Sequence, residues 1–276
     1  MTSEAIPHSQ LISLAHRLGD VSADVILPLF RSDLAVDVKG GQGAAFDPVT
    51  EGDRAAEVSI REIIEATFPN HGIFGEEHGI KPGSSPYRWV IDPIDGTRAF
   101  ILGLPTWGTL IGLEINEQPA IGLMNQPFTG DRFWSDGKAS YFRNGAGDTR
   151  QIQTRASVNL REAQMASTSP DIFAEGNETT VYTTISESVR SCRHGTDCWG
   201  YALLAAGLVD IVVEAGLKPY DIVALIPIIE NAGGVITSWD GDTARHGGRI
   251  LAAANPALHA EALDVIAKVT GDTTAG

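Results

Sequence analysis

The segment Trp89-Val90-Ile91-Asp92-Pro93-Ile94-Asp95-Gly96-Thr97 carries an apolar run straight into two carboxylates three positions apart and a glycine turn. Buried strands stop in this way when they deliver side chains to a site at their ends. Hard divalent cations such as Mg²⁺ favour carboxylate and carbonyl oxygens, and a strand terminus can fix several of these at once. Asp92 and Asp95 suit that role. Gly96 lets the backbone approach an anion closely, and a helix entered at Thr97 would point its free N–H groups at a phosphate. The chemistry legible here is a metal site with a phosphate seat beside it. Taken alone, the same residues also fit a turn capped by Asp92 at Pro93, followed by an Asp95-Gly96 tight turn.

Composition narrows the partners. The formal net charge of −15 opposes the counterion release that drives nucleic-acid binding, so no nucleic-acid partner is expected. A phosphorylated small molecule remains compatible, because bound cations invert the local electrostatics. The two cysteines, Cys192 and Cys198, form no C-x-x-C pair and read as reduced thiols. No stretch of 18 apolar residues occurs, and Met1 to Gln10 lacks a basic region followed by an apolar core, so a cytoplasmic protein with no membrane partner is expected. His71, His78, His194 and His246 share no metal-ligand spacing. Trp107 and Trp199 are read as core residues.

These side chains need a frame. Leu11, Leu14, Ala15, Leu18, Val21, Val25 and Leu29 follow helical spacing behind a Ser9 N-cap, and a second helix is predicted from Asp53 to Phe68. Ile73-Phe74 and Trp89 to Ile91 read as short strands. Thr109 to Ile115, Ala120 to Asn125, Arg132 to Ser135 and Ala139 to Arg143 read as an antiparallel meander. After about residue 150 strands and helices alternate. Strands are predicted at Gln164 to Thr168, Val209 to Val213 and Val235 to Thr237. Helices are predicted at Glu178 to Val189, Trp199 to Ala206, Ile222 to Asn231 and Ala257 to Val269, with a frayed tail from Gly271. The expectation is an α/β protein with an α+β part over residues 1–150 and an α/β part over 151–276.

The string Asp92-Pro93-Ile94-Asp95-Gly96-Thr97 resembles the signature of the inositol-monophosphatase superfamily. Three further segments resemble its motifs in order: Asp47-Pro48-Val49-Thr50-Glu51-Gly52-Asp53, Gly75-Glu76-Glu77 and Lys218-Pro219-Tyr220-Asp221. The resemblance implies a layered αβαβα sandwich, as in inositol monophosphatase and fructose-1,6-bisphosphatase, and Mg²⁺-dependent hydrolysis of a phosphate monoester by metal-activated water. It implies that Glu76 binds metal and helps activate water, that Asp92 bridges two metals, and that Ile94 contributes its carbonyl. Asp95 and Asp221 would complete the second metal site. Thr97 and Asp53 would orient the attacking water, the Gly96 and Thr97 N–H groups would hold phosphate, and the protein would be a homodimer. Each carboxylate also has a structural account: Glu76 and Glu77 as loop charges, Asp53 as a helix-start residue, Asp221 as an N-cap.

Thr97-Arg98-Ala99-Phe100 departs from the inositol-phosphatase pattern. With Gly103 to Leu110 and Glu214 to Asp221, it resembles the histidinol-phosphatase branch. A histidinol phosphate leaving group, carrying an ammonium and an imidazole, would be held by acceptors, for which Asp197 and Glu214 are the candidates. Arg98 could grip phosphate or pair with a carboxylate. Two alternatives stand beside this: an enzyme of broad sugar and polyol phosphate specificity, and a non-catalytic phosphate-binding regulatory protein.

Overall fold

The computed structural model describes residues 6–33, 36–38, 48–156 and 158–271. Asp47 and the tail beyond Gly271 lie outside the described residues. Helix α1 (His8–Ile26) is followed by short strands β1 (Val36–Val38) and β2 (Pro48–Thr50) and helix α2 (Glu51–Thr67). Pro7, not Ser9, is the N-cap of α1, so the helix opens before Ser9 with no side-chain cap. Helix α2 begins two residues before Asp53 because Thr50 and Asp53 form a reciprocal capping box.

Strands β3 (Gly72–Gly75), β4 (Gly79–Lys81) and β5 (Tyr87–Asp95) lead to helix α3 (Thr97–Ile101). The meander follows as β6 (Gly108–Ile115), β7 (Gln118–Gln126), β8 (Asp131–Ser135) and β9 (Ser140–Arg143), and β10 (Thr149–Ile152) completes it. These make one eight-stranded sheet in the order β10-β9-β8-β7-β6-β5-β3-β4.

The second sheet gathers β11 (Gln164–Ala166), β12 (Ser191–Arg193), β13 (Ile211–Leu217), β14 (Val235–Ser238) and β15 (Gly248–Ala253) in the order β12-β11-β13-β15-β14. Its helices are α4 (Asn177–Ser188), α5 (Cys198–Ala205), α6 (Pro219–Ile222), α7 (Leu225–Glu230) and α8 (Pro256–Thr270). The single helix expected from Ile222 to Asn231 is divided into α6 and α7, and α6 starts at Pro219, where a fixed φ suits a first helical turn.

Three apolar cores stack these elements into five layers. Leu11, Leu14, Leu18, Ile60 and Ile64 pack α1 and α2 on one face of the large sheet, against Trp89, Ile91 and Leu113. Between the sheets lie α5 and α7, with Tyr201, Leu204, Leu225 and Ile229 meeting Leu110, Met124 and Val212. On the outer face of the small sheet α4 and α8 bury Val181, Ile185, Leu258 and Ile266. This is the αβαβα sandwich. Among the described residues, no helix is long and apolar enough to cross a membrane.

Two close approaches set the site. Gly112 and Gly122 pair across β6 and β7, and a Cβ on Gly122 would overlap the Ala224 carbonyl, so the chain entering α7 rests directly on the large sheet. In β5 the register against β6 shifts between Asp92 and Asp95: Asp92 faces Leu110 and Asp95 faces Gly108, leaving Pro93 and Ile94 opposite Thr109 alone. A regular strand points residues three apart to opposite faces, and this bulge turns Asp95 back toward the side of Asp92. Thr109 stabilises the bulge by donating its hydroxyl to the Pro93 carbonyl (2.8 Å), while Ser22 on α1 lies 2.8 Å from the Thr109 hydroxyl.

Candidate active site

Three carboxylates converge where the bulge meets α6. One oxygen from each of Asp92, Asp95 and Asp221 lies within 4.8 Å of the others. Each is oriented by a backbone N–H: Ile94 donates to Asp92 Oδ1 (3.0 Å), Cys198 to Asp95 Oδ2 (2.8 Å) and Lys218 to Asp221 Oδ2 (2.7 Å). Each carboxylate keeps lone pairs beyond that one backbone bond. Glu76 follows β3, which runs parallel to β5, and its N–H bonds the Ile91 carbonyl (3.2 Å), setting it beside Asp92. Tyr220 packs edge-on against Phe74 with ring centroids 5.8 Å apart, joining the Asp221 segment to the strand that leads to Glu76.

The electrostatics describe a cluster short of positive charge. Burial pushes Asp92 well above the ordinary carboxylate range, reinforced by the charges of Glu76, Asp95 and Asp221. Burial, then the Asp221 charge, raises Asp95 to about 8. Asp221 rises to about 7, mainly through burial, with Glu76 and Glu214 adding repulsion. An all-oxygen donor set held this tightly matches a hard divalent cation rather than a soft one. The cluster can hold such an ion.

Around it lie the other residues singled out in the sequence. Gly96 takes a left-handed conformation (φ 84°) at the start of α3, and any Cβ there would come within 3.2 Å of Asp197. Thr97 donates its hydroxyl to the Ile94 carbonyl (3.0 Å), which keeps a further lone pair. Asp53 is buried, and its Oδ2 accepts both the N–H (2.8 Å) and the hydroxyl (2.5 Å) of Thr50. Among the described residues its buried Oδ1 has no partner, an acceptor of the kind that a water would fill. Burial raises Asp53 to about 6.

A cavity of about 190 Å³ opens beside the trio, lined by Asp95, Asp197, Tyr201, Glu214 and Asp221. Glu214 on β13 is buried, and it accepts from the Thr168 N–H (2.8 Å), the Thr168 hydroxyl (2.6 Å) and the Tyr201 hydroxyl (3.0 Å). Asp197 caps α5 with φ 45° and ψ −138°, a conformation that costs a non-glycine residue about 1–3 kcal/mol. Burial raises it to about 8, with Asp95 and Glu214 adding to the rise and Arg98 opposing it. Arg98, exposed on α3, thus brings its charge to a carboxylate. A larger depression of about 450 Å³ elsewhere is bordered by Arg88 and Glu114, which neutralise each other (2.6 Å) and leave no comparable cluster.

The family model for the inositol monophosphatase family matches residues 8–270. The chain belongs to the inositol monophosphatase family. Family members similar to it include the chloroplastic bifunctional phosphatase IMPL2 of Arabidopsis thaliana, 41% identical over 231 residues that cover 83% of this chain and 64% of that protein. The histidinol-phosphatase of Streptomyces coelicolor is 33% identical, covering 91% of this chain and 95% of that one. An inositol monophosphatase structure from Zymomonas mobilis superposes with a TM-score of 0.82 at 38% identity, covering 95% and 99% of the two chains. The family's members among these relatives are phosphatases.

Thr50, Glu57, Thr168 and Tyr201 carry no role in the sequence reading. Glu57 did leave a signal, being a carboxylate on the apolar face of α2 between Ala56 and Ile60, where an unpaired charge would be costly. Thr168 and Tyr201 left none, since their contact with Glu214 joins positions 46 and 13 residues away.

Proposed function

We propose that the protein is a Mg²⁺-dependent phosphoric monoester hydrolase that converts histidinol phosphate to histidinol and phosphate, a step of histidine biosynthesis. The observation that carries this reading is the acidic wall formed by Asp197 and Glu214 in the cavity beside the carboxylate trio. An ammonium and an imidazole meet acceptors there, and the ammonium's charge draws both buried carboxyls toward the ionised form, in which the hydrogen bond is charge-assisted and stronger than a neutral one. A polyol would gain less from the same wall.

In this reading Asp92, Asp95, Asp221, Glu76 and the Ile94 carbonyl hold the cation. When bound, Mg²⁺ supplies acidified water and neutralises charge on the phosphoryl oxygens. The chain does the positioning. Asp53 offers its Oδ1, which has no partner among the described residues, to the attacking water, Thr97 orients that water with it, and the Gly96 and Thr97 N–H groups seat the phosphate. Glu214 and Asp197 grip the leaving group, and Arg98 restrains Asp197 from the α3 side. Residues 1–150 form the α+β part that brings metal and phosphate motifs, and residues 151–276 form the α/β part that brings Asp197, Glu214 and Asp221. A homodimer working in the cytoplasm belongs to the same reading. The family resemblance supports the dimer, and the free thiols of Cys192 and Cys198 support the compartment.

The test is phosphate release from histidinol phosphate, inositol monophosphate and sugar phosphates, each with and without Mg²⁺. The expected result is Mg²⁺-dependent release with the highest kcat/KM for histidinol phosphate. A preference for inositol monophosphate would replace this reading by broad polyol specificity, and cation binding without turnover would replace it by a regulatory phosphate-binding protein.

A further inference from the structure

Helix α2 carries two buried carboxylates one turn apart, and only the first belongs to the motifs described above. Glu57 is fully buried. Its Oε2 accepts the N–H of Glu77 (2.7 Å), and its Oε1 accepts the N–H of His78 (3.2 Å) and the Nε of Arg61 (2.6 Å). Arg61 in turn donates to the Gly79 carbonyl, so one ion pair grips the β3–β4 turn at Glu77, His78 and Gly79. The fit is close, because a Cβ on Gly75 would overlap the Glu57 carboxylate. Weaker ties flank it: Lys81 to Glu65 (3.2 Å) and the His78 ring to the Arg54 carbonyl (3.3 Å). Both lie toward solvent, with Lys81 half-buried, and such surface contacts contribute little.

The gripped turn begins at the residue after Glu76. We propose that Glu57 is a positioning residue: by clamping the Glu77 and His78 amides it fixes the Glu76 carboxylate against Asp92 and thereby sets the cation affinity of the cluster. This rests on the reading of Glu76 as a ligand. The physical reason is that a ligand on a turn is only as well placed as the backbone behind it. Two charge-assisted bonds from a buried carboxylate hold that backbone more firmly than solvent-exposed contacts can. Arg61 gives the buried Glu57 carboxylate an opposite charge at 2.6 Å.

Glu57→Gln keeps the shape but presents an amide NH₂ to donors, whichever way it is turned. Calorimetric titration of the metal-free protein with Mg²⁺ is expected to give binding about tenfold or more weaker for Glu57→Gln, the range typical of groups that orient ligands. The Mg²⁺ concentration for half-maximal phosphatase activity should rise in parallel. At saturating Mg²⁺, kcat should stay within about twofold of wild type, a split that general destabilisation of the fold would not produce. Arg61→Gln, at a less buried position, should shift affinity the same way and decides the matter if Glu57→Gln does not fold. Glu76→Gln is the control. If it weakens Mg²⁺ binding while the folded Glu57→Gln and Arg61→Gln proteins bind as wild type does, the positioning role is overturned. If Glu76→Gln itself binds Mg²⁺ unchanged, the ligand assignment beneath it fails instead.

Discussion

Cation binding should be steeply pH-dependent. A hard cation needs Asp95 and Asp221 ionised, and the metal-free fold holds them at about 8 and about 7, mainly through burial. Below these values each must lose a proton to the entering ion. Because the two carboxylates titrate as an interacting pair, Mg²⁺ affinity should fall by roughly two to three orders of magnitude between pH 8 and pH 6, a change that belongs to the pair and not to either residue. At about 1.4 kcal/mol per tenfold, this is on the order of 3–4 kcal/mol. Asp92, raised by burial and by Glu76, Asp95 and Asp221, steepens the dependence further.

Calorimetry in buffers of different ionisation enthalpy counts the protons. About two should be released at pH 6 from Asp95 and Asp221 together, and fewer than one at pH 8. Stability follows with a definite sign. Groups raised in the folded state contribute stability that is complete below the unfolded carboxylate value and is lost as pH rises through about 7 to 8. The metal-free protein should therefore weaken from pH 5 to pH 8, while Mg²⁺ at about 100 times its Kd returns about 2.7 kcal/mol. The thermal shift produced by a fixed Mg²⁺ concentration should accordingly be larger at pH 8 than at pH 6. A Kd that stays flat from pH 6 to pH 8, with no proton release, would refute the reasoning.

Asp92→Asn should lose most turnover and most Mg²⁺ binding, whereas Thr97→Ala should lose turnover while sparing much of the binding; titration and phosphate release on the two variants separate the effects. Glu214→Gln places an amide NH₂ against the Thr168 or Tyr201 donors, so it should cost about 1–3 kcal/mol in chemical denaturation. It should also lower kcat/KM for histidinol phosphate roughly ten- to a hundredfold, and less for inositol monophosphate. Thr109→Val strips the buried Pro93 carbonyl of its donor and leaves Ser22 facing a methyl group; a loss of about 1–3 kcal/mol in denaturant titration is expected, with reduced Mg²⁺ affinity as the bulge relaxes.

Helix α1, α2 and the β6–β9 meander were legible in the sequence because each keeps one period of apolar residues long enough to read. Strand β15 was not, although it pairs with both β13 and β14. Its Gly248 to Ala253 sequence has small residues at its ends and no alternation, since a central strand is buried on both faces. The carboxylates were legible through motif resemblance. Their meeting at one metal site came with that resemblance, but the bulge that produces it was not legible, since residues three apart on a regular strand point apart and the Thr109 contact that stabilises the bulge spans 16 residues. Asp197 was readable as an acid in a loop, yet its strained backbone against Gly96 depends on a meeting between two distant segments.

Because the Ala224 backbone lies directly on Gly122, with Val223 close against Gly112, Asp221 reaches the cluster from a seat packed tightly on the large sheet. Its partners Asp92 and Asp95 stand on the same sheet, two strands from Gly122. Among the described residues, Asp221 then needs no shift of its backbone seat to meet an entering ion, which leaves the ion's own dehydration to set the speed. Mg²⁺ sheds water reluctantly whereas Ca²⁺ accepts looser geometry, so the on-rate should track the dehydration rate of the cation and stay insensitive to solvent viscosity.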